Sequence, residues 1–143
     1  MKKIKLFDPF TNESEKNAIK RILDSHFWAS GGGGGGVQRF EEKFTKYTSS
    51  KSCVAVNSGT AALNLALSMC NIKNKEVIIP SLSFVSTANA VIENGGIPKF
   101  VDIDKNTLCM DPEKILKAIS KKTKVVLPVH FGGLTSNLGK ISK

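Results

Sequence analysis

The chain has 143 residues, 41% of them hydrophobic and 23% charged, which suits one soluble globular domain with a core of its own. It holds no apolar run long enough to span a bilayer and no hydrophobic stretch behind its basic N-terminus, so neither a membrane span nor a secretory signal is expected, and the location is expected to be cytoplasmic. The formal charge of +9 is almost all lysine, scattered without an aromatic stripe, a helix-turn-helix or a zinc pattern, and reads as a solvated surface with no nucleic acid as partner.

In chain order, Leu6 to Thr11 is an extended lead-in. Asn12 or Ser14 is then placed to cap a helix to about Ser25, with Ala18, Ile19, Ile22 and Leu23 on its apolar face. Phe27-Trp-Ala-Ser30 leads into a run of glycines, Gly31 to Gly36. Glycine loses more backbone freedom on folding than any other residue, so the run is expected as a flexible loop. A helix over about 37–47 follows, with Phe40, Phe44 and Tyr47 at helical spacing.

From residue 51 the pattern alternates. Strands are predicted at 53–56, 76–79, 98–103 and 124–128, and helices at 60–69, 84–93 and 112–119. Asn94-Gly-Gly96 supplies a helix C-cap, and Asp111-Pro112 opens a helix with proline at its first position. Such alternation predicts an α/β fold with a mostly parallel sheet and flanking helices. The last residues, 137–143, read as the start of one more helix, so the sheet is expected to be truncated and the chain to be a fragment. Cys53, Cys70 and Cys109 show no metal-ligand spacing and are expected as reduced, mostly buried thiols, with no metal.

The sharpest chemical signal is Val56-Asn-Ser-Gly-Thr-Ala-Ala-Leu63, between a strand and a helix. There Ser58, Gly59 and Thr60 offer backbone N–H groups and hydroxyls at a positive helix end, a ready phosphate site; an ordinary serine cap with a glycine turn leaves the same pattern. The glycine run has no strand before it and no Lys-Ser or Lys-Thr after it, so it is neither a dinucleotide fingerprint nor a P-loop. Pro80-Ser-Leu-Ser-Phe84 leaves the carboxyl end of a strand, where open α/β sheets bind ligands. Phe84 either stacks on a flat cofactor ring or fills the core face of its helix. His130 is a lone histidine after a strand, a position more often structural than catalytic. Asp102 and Asp104 suit turn and helix-entry hydrogen bonds.

Taken together, Phe40-Glu41, Val56 to Leu63, Glu76-Val-Ile-Ile-Pro80, Ser83-Phe-Val-Ser-Thr-Ala-Asn-Ala90, Asp102-Ile-Asp104 and Thr123-Lys-Val-Val-Leu-Pro-Val-His130 resemble the DegT-type sugar aminotransferases, in order from about residue 7 to the end. The resemblance implies a fold-type I enzyme dependent on pyridoxal 5′-phosphate (PLP). Residues 1–50 would be a helical segment with its glycine loop at 31–36, and 51–143 an incomplete PLP-binding domain. It places the cofactor phosphate at Gly59 and Thr60 with Ser58 beside them, and the pyridine ring on Phe84. The loop from Trp28 to Gly33 resembles the family's segment near the active site, although its unbroken glycines depart from the usual pattern.

Such enzymes also need a lysine to hold PLP and move the substrate proton, and an aspartate for the pyridine nitrogen. No lysine here occupies the matching motif, so no catalytic residue is assigned and the chain alone is expected to be inactive. The resemblance implies amino transfer, from glutamate, to a nucleotide-linked keto-sugar that feeds a polysaccharide, a lipopolysaccharide or a natural product, in a homodimer. A branch of the family with His in place of that lysine performs dehydration, and that position is likewise not among these residues. The other readings are a non-catalytic phosphate- or nucleotide-binding module and an inactive gene remnant.

Overall fold

A computed structural model describes residues 5, 8–28 and 35–142 of the chain. Residues 1–4, residues 6 and 7 of the expected lead-in, residues 29 and 30 with residues 31–34 of the glycine run (so most of the 28–33 loop likened to the family's segment), and residue 143 lie outside the described residues. The chain divides into two compact units, Met1–Ala55 and Val56–Lys143, and each is described by itself.

Two helices make up the first unit, α1 (Glu13–Ser25) and α2 (Gly36–Thr48). The polar residues before α1 set its start. Asn12 Oδ1 accepts the Ser14 N–H at 2.6 Å, and Glu15 Oε2 accepts the Asn12 N–H at 2.7 Å, a reciprocal capping box. The glycine run is not loop throughout, as the sequence suggested: Gly35 is the N-cap of α2 and Gly36 its first residue. Gly36 lies against α1, where a Cβ on it would stand 2.8 Å from Ile22 Cδ1. A side chain at this position would make the end of the Ile22 side chain shift. Phe40, Phe44 and Tyr47 follow one another along α2, with ring centroids 5.6 and 6.5 Å apart, and neither helix buries a residue fully.

The predicted strand at 53–56 is not formed; this segment pairs with no strand among the described residues. Its Ala55 N–H instead goes to Glu41 Oε1 at 2.8 Å, which ties the segment to α2. Alternating small and β-branched residues mark a chain able to pair, but they do not supply the partner.

The second unit is built on three parallel strands in the order β2–β1–β3, with β1 (Glu76–Pro80) between β2 (Ile97–Val101) and β3 (Thr123–Val126). Around them lie α3 (Gly59–Ser68), α4 (Ser86–Glu93), α5 (Pro112–Ala118) and α6 (Leu138–Ile141). Both faces of the sheet are covered, and the alternation along the strands decides which side chain goes where. Val77 and Ile79 pack with Leu67, Ala90 and Val91 of α3 and α4, joined by Val125 and Leu127. Ile78, pointing the other way, packs with Val101, Met110 and Ile115, joined by Val126 and Ile141. Each of the fully buried aliphatic side chains of β1 contributes about 1.5–3 kcal/mol. The expected α/β class with a small parallel sheet and flanking helices is what the chain adopts.

Element ends differ from expectation by at most two residues. β2 stops at Val101, and Ile103 instead bridges Met110 in an antiparallel pair that closes the 102–111 loop. Asp104 serves that loop as expected, its Oδ1 accepting the N–H groups of Asn106 at 2.7 Å and Thr107 at 3.1 Å. Pro98 sits on β2, an outer strand of the described sheet, where its missing N–H is tolerated. The three cysteines are free; Cys109 is buried, whereas Cys53 and Cys70 are only partly so. Among the described residues no helix is long and apolar enough to cross a membrane, and no cluster of His, Cys, Asp or Glu could hold a metal ion.

Candidate functional site

The first turn of α3 has the polar groups that the sequence suggested. Ser58 is the N-cap in extended conformation, and its Oγ accepts the Ala61 N–H at 3.1 Å. Its carbonyl accepts the Ala62 N–H at 3.0 Å. A helix leaves its first four N–H groups without helical partners, here those of Ser58, Gly59, Thr60 and Ala61; the serine hydroxyl serves Ala61, and the Ala62 bond is the first regular one of the helix. The N–H groups of Gly59 and Thr60 therefore remain for an acceptor outside the helix. Gly59 has open space beside it, with no atom within 4 Å of where a Cβ would stand. Ser58 and Gly59 are exposed, and Thr60 is half-buried. An anion at this point meets two N–H donors, two hydroxyls and the positive end of a helix.

The second predicted element, the loop after β1, is closer-knit than the sequence indicated. Its Ser81 N–H bonds the Val101 carbonyl at 2.8 Å, and Ser83 Oγ lies 2.7 Å from Thr87 Oγ1. The Thr87 N–H returns to the Phe84 carbonyl at 3.0 Å, so α4 begins at Ser86 and not at Phe84. Ser86 and Thr87 are buried, and Phe84 is 76% exposed. Phe84 thus precedes α4 and is unburied within this chain.

Helix packing brings the two elements toward one edge. Asn64, midway along α3, accepts from the side chain of Asn94 at 3.0 Å and donates to Glu93 at 2.6 Å, both at the far end of α4. A short turn carries α3 into Glu76, the first residue of β1, so Ser58 and Thr60 lie at the opposite end of α3, toward the carboxyl edge of the strands. The loop that holds Phe84 leaves β1 at that same edge.

His130, four residues past β3, is exposed, but its ring is engaged. Nδ1 accepts the Ser136 N–H at 3.1 Å, and Ser136 Oγ donates to the Val129 carbonyl at 3.0 Å. No residue pattern announces this pairing beyond Gly132-Gly133, both left-handed at φ +61 and +85, which let the chain turn back. A cleft of about 520 Å³ lies elsewhere, lined by Asp104, Thr107, Glu113 and Lys140 among others and by none of Ser58, Gly59, Thr60 or Phe84. Asp104 is already committed to its own turn.

Comparison with known proteins decides the family. The model of the DegT/DnrJ/EryC1/StrS aminotransferase family matches residues 9–143. The chain belongs to the DegT/DnrJ/EryC1/StrS aminotransferase family. It is 44% identical over 134 residues to the spore coat polysaccharide biosynthesis protein SpsC of Bacillus subtilis, covering 93% of this chain and 34% of that protein. It is also similar to the crystal structure of 3-amino-5-hydroxybenzoic acid synthase, with a TM-score of 0.87 and 33% identity over 94% of this chain and 35% of that one. A GDP-4-keto-6-deoxymannose-3-dehydratase, solved with a trapped PLP-glutamate geminal diamine, matches with a TM-score of 0.88 and 31% identity over 98% and 37% of the two chains. This member of the DegT/DnrJ/EryC1/StrS family thus spans about a third of the length of the relatives it matches.

Proposed function

We propose that this chain is the cofactor-phosphate-binding part of a PLP-dependent aminotransferase that acts on a nucleotide-linked keto-sugar, with glutamate as amino donor. One observation carries the reading: the first turn of α3 leaves the Gly59 and Thr60 N–H groups to an outside acceptor, beside a glycine with open space. The phosphate of PLP fits that donor set. In this reading Ser58, Gly59 and Thr60 hold it, and the exposed ring of Phe84 lies against the pyridine. When bound, PLP supplies the electron sink that amino transfer needs. The protein's share is to fix the phosphate and wall off one face of the ring.

Relatives support the substrate class without narrowing it: one is named for polysaccharide biosynthesis and another acts on a GDP-linked keto-sugar. In the same reading, residues 51–143 form the PLP-binding domain in part, residues 1–50 its helical lead, and the working enzyme is a cytoplasmic homodimer whose product feeds a polysaccharide or lipopolysaccharide. These 143 residues hold the cofactor only weakly and do not turn over, because no lysine among them stands in the family's lysine motif.

A chimera tests this. The chain is compared alone and joined to the remaining part of the Bacillus subtilis relative, and each is mixed with PLP and glutamate while the absorbance of the bound cofactor is followed. The chimera is expected to convert PLP to its amine form and the chain alone is not. Steady amino transfer by the chain alone, or a folded, PLP-loaded chimera that glutamate leaves unchanged, contradicts the proposal.

A further inference from the structure

Of the chain's 21 lysines and arginines only Arg21 and Arg39 are arginines, and both line one hollow of the first unit. Arg21 stands on α1 and Arg39 on α2, and the hollow between them measures about 70 Å³. Ile22, Phe27 and Gly36 line this hollow and also an adjoining apolar groove of about 340 Å³, where they meet Trp28 and Phe40. The rings of Phe27, Trp28 and Phe40 are each more than half exposed. Trp28 Nε1 donates to the Leu23 carbonyl at 3.4 Å, which holds the indole by its edge. A third hollow beside these adds Lys43 to the two arginines. No aspartate or glutamate lines any of the three. Neither guanidinium forms an ion pair among the described residues.

We propose that this face of α1 and α2 binds a nucleoside diphosphate, with Arg21 and Arg39 on the phosphates and the base against the rings of Phe27, Trp28 and Phe40. A guanidinium is a planar fork of donors that matches phosphate oxygens two at a time, whereas an ammonium is a point charge. Arginine at these two positions of a lysine-rich chain therefore carries a geometry that lysine does not. Two such cations with no carboxylate between them call for adjacent negative charges, which a diphosphate has. Any base offers a flat face to an aromatic side chain, so the apolar groove takes the other end of the same ligand. Across these hollows the cations are Arg21, Arg39 and Lys43, a length of lining that fits one nucleotide and not a nucleic-acid strand. The proposal rests on the reading of the substrate as a nucleotide-linked sugar and assigns its nucleoside diphosphate to the first unit. It uses none of Ser58, Gly59, Thr60 or Phe84.

The test is a nuclear magnetic resonance titration of the unmodified 143-residue chain with uridine diphosphate. Trp28 is the single tryptophan, so one indole N–H and two arginine Nε–H signals report the site directly. All three are expected to shift together and to saturate. Inorganic pyrophosphate should move the two arginine signals and spare the indole, and uridine should move the indole with affinity about ten-fold lower or less. Arg21→Gln and Arg39→Gln should each weaken uridine diphosphate about ten-fold, the loss of one charge-assisted contact. Lys46→Gln removes the same charge from α2 outside the three hollows and should leave the affinity unchanged. Uridine diphosphate that leaves the indole and both arginines unmoved, or an equal loss of affinity in all three variants, overturns the proposal. A chain that takes pyridoxine 5′-phosphate at Gly59 and Thr60 but no uridine diphosphate at the arginines fails this proposal alone. The reverse pattern fails the cofactor reading and leaves the nucleotide site standing.

Discussion

Glu76 opens β1 and holds the amino edge of the sheet together. Its Oε2 accepts from Ser120 Oγ at 2.7 Å, Lys99 Nζ at 3.1 Å and Thr123 Oγ1 at 3.2 Å, which joins β1 to both neighbouring strands and to the end of the α5 loop. The Ser120 hydroxyl first, then the Lys99 ammonium, favours the ionised form and lowers the pKa of this carboxyl below its ordinary value. A carboxyl whose folded pKa is depressed adds stability above its unfolded pKa and loses that contribution as pH falls through the folded one. The loss therefore sets in below the unfolded glutamate value of about 4.3. Glu76→Gln should lower the urea midpoint at neutral pH and flatten the acid limb of stability against pH. Parallel acid limbs in the two proteins would count against this role. Gly96 is the second residue that carries a sharp expectation. A Cβ there would stand 2.9 Å from Ile72 Cδ1, 2.9 Å from Val91 Cγ1 and 3.2 Å from the Val91 carbonyl oxygen. Backbone cannot swing aside, so Gly96→Ala should cost about 1–3 kcal/mol in chemical denaturation. A variant as stable as the parent would mean that this corner is loosely packed.

Among the elements, α3 and the end of α4 were the most legible, because these ends are written in residue types. Asn94-Gly-Gly96 reads as a helix stop, and the chain forms a Schellman pair there: Gly96 N–H bonds the Val91 carbonyl at 2.9 Å, and Gly95 N–H bonds that of Ile92 at 2.8 Å, with Gly95 at φ +71. Ser58 reads as a cap and acts as one. Ser58→Ala removes its bond to the Ala61 N–H and should cost about 1 kcal/mol, measured as a shift in the denaturation midpoint. An unchanged midpoint would show that the α3 end is held by packing alone. The segment at 53–56 was misread because its pattern fits a strand while pairing depends on a partner that no local residue encodes. Phe84 was placed in a helix because Phe84 to Ala90 lacks a breaker; a turn closed by its own carbonyl delays the helix to Ser86. The link between His130 and Ser136 has no sequence signature, since it depends on the path that two left-handed glycines give the turn.

For the molecule as a whole, the family and the α/β class were written in motifs that follow in order, while the proposed cofactor site depends on one helix end. The structure gives that end its donors, its glycine and its place toward the carboxyl edge. It also leaves large apolar side chains such as Phe84, Phe100, Leu116 and Tyr47 exposed in a chain that spans about a third of its relatives. The direct measurement is a titration with pyridoxine 5′-phosphate, which keeps the phosphate and ring of PLP but has no aldehyde to react with the many lysines, read from the amide resonances of the chain. The account predicts saturable shifts at Gly59 and Thr60, reproduced at lower affinity by inorganic phosphate and absent with pyridoxine. Equal shifts from pyridoxine and its phosphate, or shifts confined to the lysine-rich surface while Gly59 and Thr60 stay unmoved, would contradict it.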